Sequence, residues 1–363
     1  MERTVKVGII GCGGIANGKH MPALQKLANV QMVAFCDIVP ERAEKAAAKY
    51  GAEGAKVYTD YKELLADGEI EVVHVCTPNR SHSFITVDAL EAGKHVMCEK
   101  PMAINSQEAK KMIDAAKRTG KKLSIGYQSR QRADSKYLKA EAEEGVFGDI
   151  YFAKAHAVRR RAVPTWGVFL NEYEQGGGPL IDIGTHALDL ALWIMDNYSP
   201  KYCVGTTYHA LNDQKDQGNA WGSWDPKKFT VEDSAFGFVV MENGATIILE
   251  SSWALNTTDV REARTTICGT KAGATQLEHE GVEINGVKHD KQYILTPTMK
   301  AGGAAFNESK SSGSAAELEA KQWIEAVIHD TDPCVLPEQA YCVTKILEGI
   351  YESAKTGKPY YFN

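Results

Sequence analysis

The chain lacks the features of an exported, membrane-bound or nucleic-acid-binding protein. It has no apolar stretch of about 18 residues, the length a membrane-crossing helix needs. Its start, Met-Glu-Arg-Thr running straight into Val5, lacks a basic segment followed by an apolar core and a small-residue cleavage site. A cytoplasmic protein that neither is exported nor spans a membrane is expected. Charge of one sign is missing too: 41 Lys and Arg stand against 47 Asp and Glu, so no nucleic-acid or polyanion partner is expected. The eight cysteines (12, 36, 76, 98, 203, 268, 334 and 342) include no CxxC pair, which favours reduced core thiols over disulfides or a metal site. Internal repeats and low-complexity linkers are absent as well.

What the chain does have is length and rhythm. At 363 residues it exceeds one ordinary core, so two domains are expected. In the first, residues 1–127, apolar runs at Val5 to Gly11, Gln31 to Asp37, Val72 to Thr77, His95 to Glu99 and Leu123 to Tyr127 alternate with amphipathic helix patterns. Such alternation implies right-handed βαβ crossovers and a doubly wound parallel sheet, an α/β Rossmann domain. From residue 128 to 363 the rhythm changes to long alternating strands, which implies an α+β domain with a mostly antiparallel open sheet. Glu242-Asn243-Gly244 and Asn285-Gly286 read there as hairpin turns needing positive φ. Helices at Arg132 to Glu144, Pro179 to Met195, Ala315 to His329 and Pro337 to Lys355 are expected to cover one sheet face, and Met299 to Ser314 to form a mobile loop.

Gly11-Cys12-Gly13-Gly14-Ile15-Ala16 fits the G-x-G-x-x-G/A pattern directly after the first strand and at the opening of the first helix. Gly11 suits the tight turn, Gly13 a close backbone approach to a pyrophosphate, and Ala16 close helix-to-strand packing; the helix N-terminus supplies N–H groups. Asp37 closes the second strand, where its carboxylate can accept from the adenosine ribose hydroxyls. A carboxylate there repels a 2′-phosphate, so NAD is expected in preference to NADP. A helix-capping role for Asp37 ahead of Pro40 is the alternative.

Thr77-Pro78-Asn79 and Glu99-Lys100-Pro101 follow the fourth and fifth strands, at the carboxyl ends where doubly wound folds bind ligands. Later comes Gly176-Gly177-Gly178-Pro179-Leu180-Ile181-Asp182-Ile183-Gly184-Thr185-His186-Ala187-Leu188-Asp189, which would set Asp182 and His186 on one helix face. As an ordered set these motifs resemble the Gfo/Idh/MocA oxidoreductase family along essentially the whole chain. The resemblance implies a catalytic trio of Lys100, Asp182 and His186, with no metal, and a homodimer or homotetramer built on the open sheet. It also implies a cofactor set of Gly11, Gly13, Gly14, Ile15, Ala16, Asp37, Thr77, Asn79, His82, Glu99, Lys100 and Gln128. Substrate neighbours would be Lys100, Tyr127, Arg159, Trp166, Asp182 and His186.

The trio suits oxidation of a secondary alcohol: His186 as the base, Lys100 stabilising charge on the oxygen, Asp182 anchoring a neighbouring hydroxyl. Taken singly, each has a structural alternative: a loop lysine, a core histidine satisfied by Asp182 or Asp189, a first-turn acid. Arg159 and Arg161 share one strand face and could equally be solvated or lie at a subunit interface. The Asn219 to Asp225 segment, with Trp221 and Trp224, has the composition of a sugar-stacking loop or of an oligomer contact. The expected substrate is a sugar, glycoside or cyclitol, with oxidation of a glucoside-like ring carbon in view. An NAD-dependent glycosidase working by transient oxidation and elimination is one alternative function, and a non-enzymatic nucleotide-sensing regulator is another.

Overall fold

A computed structural model describes residues 3–214, 218–278, 281–299 and 313–362. The described residues of Met1–Gln128 and Gly313–Tyr341 form one compact unit, and those of Ser129–Ser312 and Cys342–Asn363 a second.

In the first unit, β1 (Val5–Ile10) is almost wholly buried, as its VKVGII run requires of a central strand. It is joined by β2 (Val30–Cys36), β3 (Lys56–Tyr58), β4 (Val72–Val75), β5 (His95–Cys98) and β6 (Leu123–Ile125). All pair in parallel in the order β3-β2-β1-β4-β5-β6, so the winding reverses between β1 and β4. In doubly wound sheets that reversal opens the ligand crevice. The crossover helices are α1 (Met21–Gln25), α2 (Pro40–Tyr50), α3 (Tyr61–Ala66), α4 (Asn79–Glu91) and α5 (Ser106–Thr119). Their ends follow local chemistry: Pro40 sits in the first turn of α2, Asn105 accepts the Glu108 N–H to start α5, and left-handed Gly120 ends it.

The second unit is built on β7 (Ile150–Val158), β8 (Pro200–Tyr208), β9 (Ser234–Met241), β10 (Thr246–Ser252), β11 (Arg261–Gly269), β12 (Ala272–Leu277), β13 (Gly281–Lys288), β14 (Lys291–Leu295) and β15 (Tyr360–Tyr361). Their order is β14-β13-β12-β11-β7-β10-β9-β8-β15; β7 and β10 pair in parallel, the other pairs antiparallel. The remaining helices are α6 (Ala133–Glu143), α7 (Glu172–Gln175), α8 (Thr185–Met195), α9 (Ala315–Ile328) and α10 (Pro337–Thr356). Helix α8, apolar almost all round, is buried against β7 and β11.

Two expectations are corrected. Asn285-Gly286 is no hairpin turn: both lie inside β13, opposite Gly273 and Ala272, and the chain reverses at His289 and Asp290, with φ of 50° and 59°. Gly286 is there because Tyr293 of β14 crosses over it; a Cβ would stand 2.6 Å from the Tyr293 hydroxyl. Helix α9 does not cover the second sheet but adds Ala320, Trp323, Ile324 and Val327 to the core around Val5, Met21 and Leu24. Helical periodicity marks an apolar stripe without saying which sheet it meets. Residues 300–312 of the expected Met299 to Ser314 loop lie outside the described residues. All eight cysteines are described and none forms a disulfide; burial pushes the Cys12 and Cys36 thiols up to about 12. No helix among the described residues is long and apolar enough to cross a membrane.

Candidate functional site

At the end of β1 the chain turns at Gly11 with φ of 88°, where a Cβ would lie 2.6 Å from the Cys76 carbonyl oxygen, so only glycine fits. At Gly13 and Gly14 a Cβ would meet nothing within 4 Å. The glycines there serve no internal packing; they leave an open cradle of backbone at the start of a helix. Ala16 is fully buried, while Ile15 is exposed at the helix opening. Asp37 accepts the Cys12 N–H on Oδ2 and the Val39 N–H on Oδ1, both at 2.9 Å. It thereby ties the glycine loop to the end of β2, and the capping position of α2 falls to Val39, which makes no side-chain cap bond. A carboxylate has about four acceptor sites, so further hydrogen bonds remain open to Asp37. Backbone, carboxylate and open space fit a dinucleotide such as NAD. Ile38, 89% exposed directly beside Asp37, is an apolar flank that sequence reasoning passed over, although the run of β2 visibly continues into it.

The β4 and β5 ends are braced from beneath. His82, in the first turn of α4, directs Nδ1 at the Pro101 carbonyl (2.7 Å) and Nε2 at that of Thr77 (2.8 Å), so its ring links the two loops. Burial lowers its pKa while the two carbonyls pull the other way. Thr77 Oγ1 accepts from Ser81, and Asn79 opens α4. Glu99 is buried: Oε1 receives Lys19 Nζ (2.6 Å) and His20 Nε2 (2.7 Å), and Oε2 receives the Lys100 N–H (3.0 Å). Burial opposes its ionisation, yet the Lys19 ammonium and His20 hold it well below the usual carboxyl range. Both its oxygens are thus engaged by protein, and it acts on the backbone of Lys100. Lys19 also pairs with Glu319 of α9 at 2.9 Å. Lys19 and His20 lie in a π-helical turn, Ala16–His20, that feeds into α1. No local pattern could have flagged them as partners of residues about eighty positions away. Lys100 and Gln128 are half-buried, and Tyr127 is buried.

In the second unit the glycine-rich entry is a site of close approach. A Cβ on Gly178 would stand 2.2 Å from the Glu232 carbonyl oxygen, and one on Gly177 2.1 Å from the Tyr351 hydroxyl. The Glu232 carboxyl accepts the Gly178 and Leu180 N–H groups (2.8 and 3.2 Å) and the Tyr351 hydroxyl (2.8 Å), and burial raises it to about 7. A second π-helical turn, Leu180–Gly184, carries Asp182 and runs into α8 with His186; such turns recur at functional sites. Asp182 is buried, its Oδ2 accepting from Trp253 Nε1 at 3.0 Å, and His186 is half-buried. Trp253, at the end of β10, was missed for the same reason as Lys19. Asp189, the last acid of the motif, is structural: it is buried in a two-pronged pair with Arg130. Arg159 pairs through two hydrogen bonds with Glu262 and lies over Trp221, which meets Trp166 edge to face. Thus Lys100, Tyr127 and Gln128 belong to the first unit, and Arg159, Trp166, Asp182 and His186 to the second. No cluster of three or more His, Cys, Asp or Glu among the described residues is placed to hold a metal ion.

A family model for an oxidoreductase NAD-binding Rossmann fold matches residues 5–127, and its partner model, a C-terminal alpha/beta domain, matches 139–362. The chain is 37% identical over 354 residues to the D-glucoside 3-dehydrogenase of Escherichia coli K12, covering 97% of this chain and 96% of that one. It is 32% identical over 194 residues to the inositol 2-dehydrogenase of Salmonella typhimurium LT2, covering 53% and 55%. Among solved structures, a levoglucosan dehydrogenase complexed with NADH has a TM-score of 0.82 at 21% identity, covering 99% of this chain and 100% of that one. That last likeness concerns the fold alone.

Proposed function

The chain belongs to the GFO/IDH/MocA family of NAD-binding oxidoreductases, and from that premise we propose that it oxidises a secondary ring hydroxyl of a glycoside, with carbon 3 of a D-glucoside as the leading position. The full-length likeness to a D-glucoside 3-dehydrogenase carries the choice; the match to an inositol dehydrogenase, over half the chain, makes a cyclitol the secondary substrate class.

NAD, when bound, supplies the hydride acceptor. Gly11 to Ala16 would hold its pyrophosphate, Asp37 the adenosine ribose, and Ile38 would flank the base. The chain's own residues manage the proton and the oxygen. His186 takes the hydroxyl proton as the carbon–hydrogen bond is lost, leaving a ketone. Lys100, its backbone fixed by Glu99, offers positive charge to the oxygen on which negative charge develops. Asp182, held by Trp253, accepts from a neighbouring hydroxyl and so fixes which ring carbon faces the oxidant. The open side of the second sheet, where Val204 and Phe238 are exposed side by side, supports a homo-oligomer. Light scattering on a sized column should give a mass at least twice 39.7 kDa. Eight cysteines without a disulfide support a cytoplasmic location.

The test is NADH formation at 340 nm with methyl D-glucosides, glucose and myo-inositol, with product mass measured in parallel. A glucoside product lighter by two hydrogens supports the reading. Hydrolysis without net NADH would make the protein a glycosidase, and NAD binding without turnover of any sugar a nucleotide sensor. His186→Asn should keep NAD affinity nearly constant while turnover falls by about 10²- to 10⁴-fold, the usual loss with a general base. Turnover within a few-fold of the parent would remove His186 from the mechanism.

A further inference from the structure

Trp224, Trp253 and Trp323 are buried, but Trp166 and Trp221 are 51% and 44% exposed. The two exposed rings stand at 85° with centroids 4.8 Å apart, and Phe169 supports Trp166 edge-on at 5.8 Å. This corner is held by main-chain ties. Thr165 Oγ1 donates to the Trp221 carbonyl (2.6 Å), Asn219 takes the Val163 N–H (2.7 Å) and donates to the Gly222 carbonyl (2.8 Å), and the Ala220 N–H reaches the Arg161 carbonyl (3.0 Å). Arg159, anchored by Glu262, lies over Trp221 with 5.3 Å to the ring centroid. Two indoles fixed in the open, with their loops already tied together, form a preorganised apolar corner.

The corner also has a direction. The Arg159 N–H bonds to the Ser252 carbonyl and the Ala162 N–H to the Trp253 carbonyl, and the Trp253 indole holds Asp182. The chain that carries the corner is therefore laced to the residue that orients the proposed hydroxyl anchor. Arg159 feels the Asp182 carboxylate as well: burial works against its charge, but Glu262 and then Asp182 raise its pKa. A buried carboxylate suits the hydroxyls of the ring being oxidised. Half-exposed indoles suit the part of the substrate that extends outward, because the C–H face of a second sugar ring or the face of an aryl ring packs on the negative face of an indole.

We propose that Trp166 and Trp221 form a stacking subsite for a ring-shaped aglycone, a second pyranose or an aryl group, on glycosides whose glycone is held at Asp182. This rests on the glycoside reading above and narrows it to substrates larger than a free sugar. The test measures kcat/KM for phenyl D-glucoside, for a glucosyl-glucose disaccharide and for methyl D-glucoside of the same anomer, in the parent, Trp166→Ala and Trp221→Ala. The parent should prefer at least one ring-bearing substrate over the methyl glucoside, and which one identifies the aglycone. Each variant should lower that preference by roughly three- to tenfold, a ratio that a fall in the amount of folded enzyme does not move. Quenching of indole emission by phenyl D-glucoside should weaken in both variants, independently of turnover. A parent active on glucosides but without ring preference, or variants that keep the preference, would overturn the subsite and leave the glycoside reading standing. Variants that keep the preference but sediment as smaller species would instead make the corner a contact between copies. A parent inactive on every glucoside and showing no quenching would overturn both readings.

Discussion

Asp37 serves two purposes at once. Its oxygens hold the Cys12 and Val39 N–H groups, shaping the glycine loop, and its charge faces the position where a 2′-phosphate would come on the reading that the ribose binds there. Asp37→Ala should therefore weaken NAD binding by loosening the loop, while NADP, relieved of repulsion, loses less or gains. Calorimetric titration with both cofactors should show the gap narrowing; an unchanged ratio would place the discrimination elsewhere. Glu99 offers a similar lesson. Its two oxygens are engaged by Lys19, His20 and the Lys100 backbone, so it fixes the main chain of a neighbour, and its fourth acceptor site leaves the expected cofactor contact open.

Helices α1 and α8 each follow a π-helical turn, Ala16–His20 and Leu180–Gly184. The turn before α8 is held at its start by a carboxyl rather than by a capping side chain of its own. Glu232 takes the Gly178 and Leu180 N–H groups, and Gly178 lacks a Cβ because the Glu232 carbonyl already fills that space. Burial raises this carboxyl to about 7, against an ordinary value of 4.5. Between those values the folded state binds more protons than the unfolded state, so this group's contribution to stability is present below about 4.5 and is lost as pH rises toward 7. Glu232→Gln cannot titrate there, and one face of its amide must oppose an N–H donor. The variant should be less stable than the parent at pH 5, with the difference shrinking toward pH 8. Urea midpoints across that range decide it, and parallel pH profiles would show that Glu232 is not the titrating group.

At the scale of the molecule, the nucleotide-binding unit is not a continuous piece of chain. Helix α9 returns from beyond residue 313 to place Trp323 and Ile324 in the first core and Glu319 against Lys19. A fragment ending at residue 128 exposes that apolar surface and leaves Lys19 with one buried carboxylate where the folded unit has two. Loss of a Trp-sized core contact is worth about 3–5 kcal/mol, a large part of a small domain's stability. The fragment 1–128 should aggregate or fail to bind NAD. The same fragment joined by a flexible linker to residues 313–341 should unfold cooperatively in urea. Equal stability of the two would show α9 to be dispensable.

Much of this was legible in the residues. The alternation of apolar runs and amphipathic helices determines a parallel sheet, because strand and helix periods are local properties of the chain. Gly11 at its turn and Asp37 at the end of β2 follow from conformational freedom and charge at known offsets from a strand. The order of the Glu-Lys-Pro and glycine-rich motifs carries the resemblance to an oxidoreductase family, whose two models match along the chain. Tertiary structure alone decided the rest. Asn285-Gly286 has the composition of a turn but is held in β13 by pairing on both sides, since ladder bonds to β12 and β14 outweigh local preference. The apolar stripe of α9 would suit either core, and only the packed chain shows which one receives it. Trp253 on Asp182, Lys19 on Glu99 and Trp166 on Trp221 join residues 71, 80 and 55 positions apart, and no local pattern encodes a contact at such separations because it exists only once the sheets have formed.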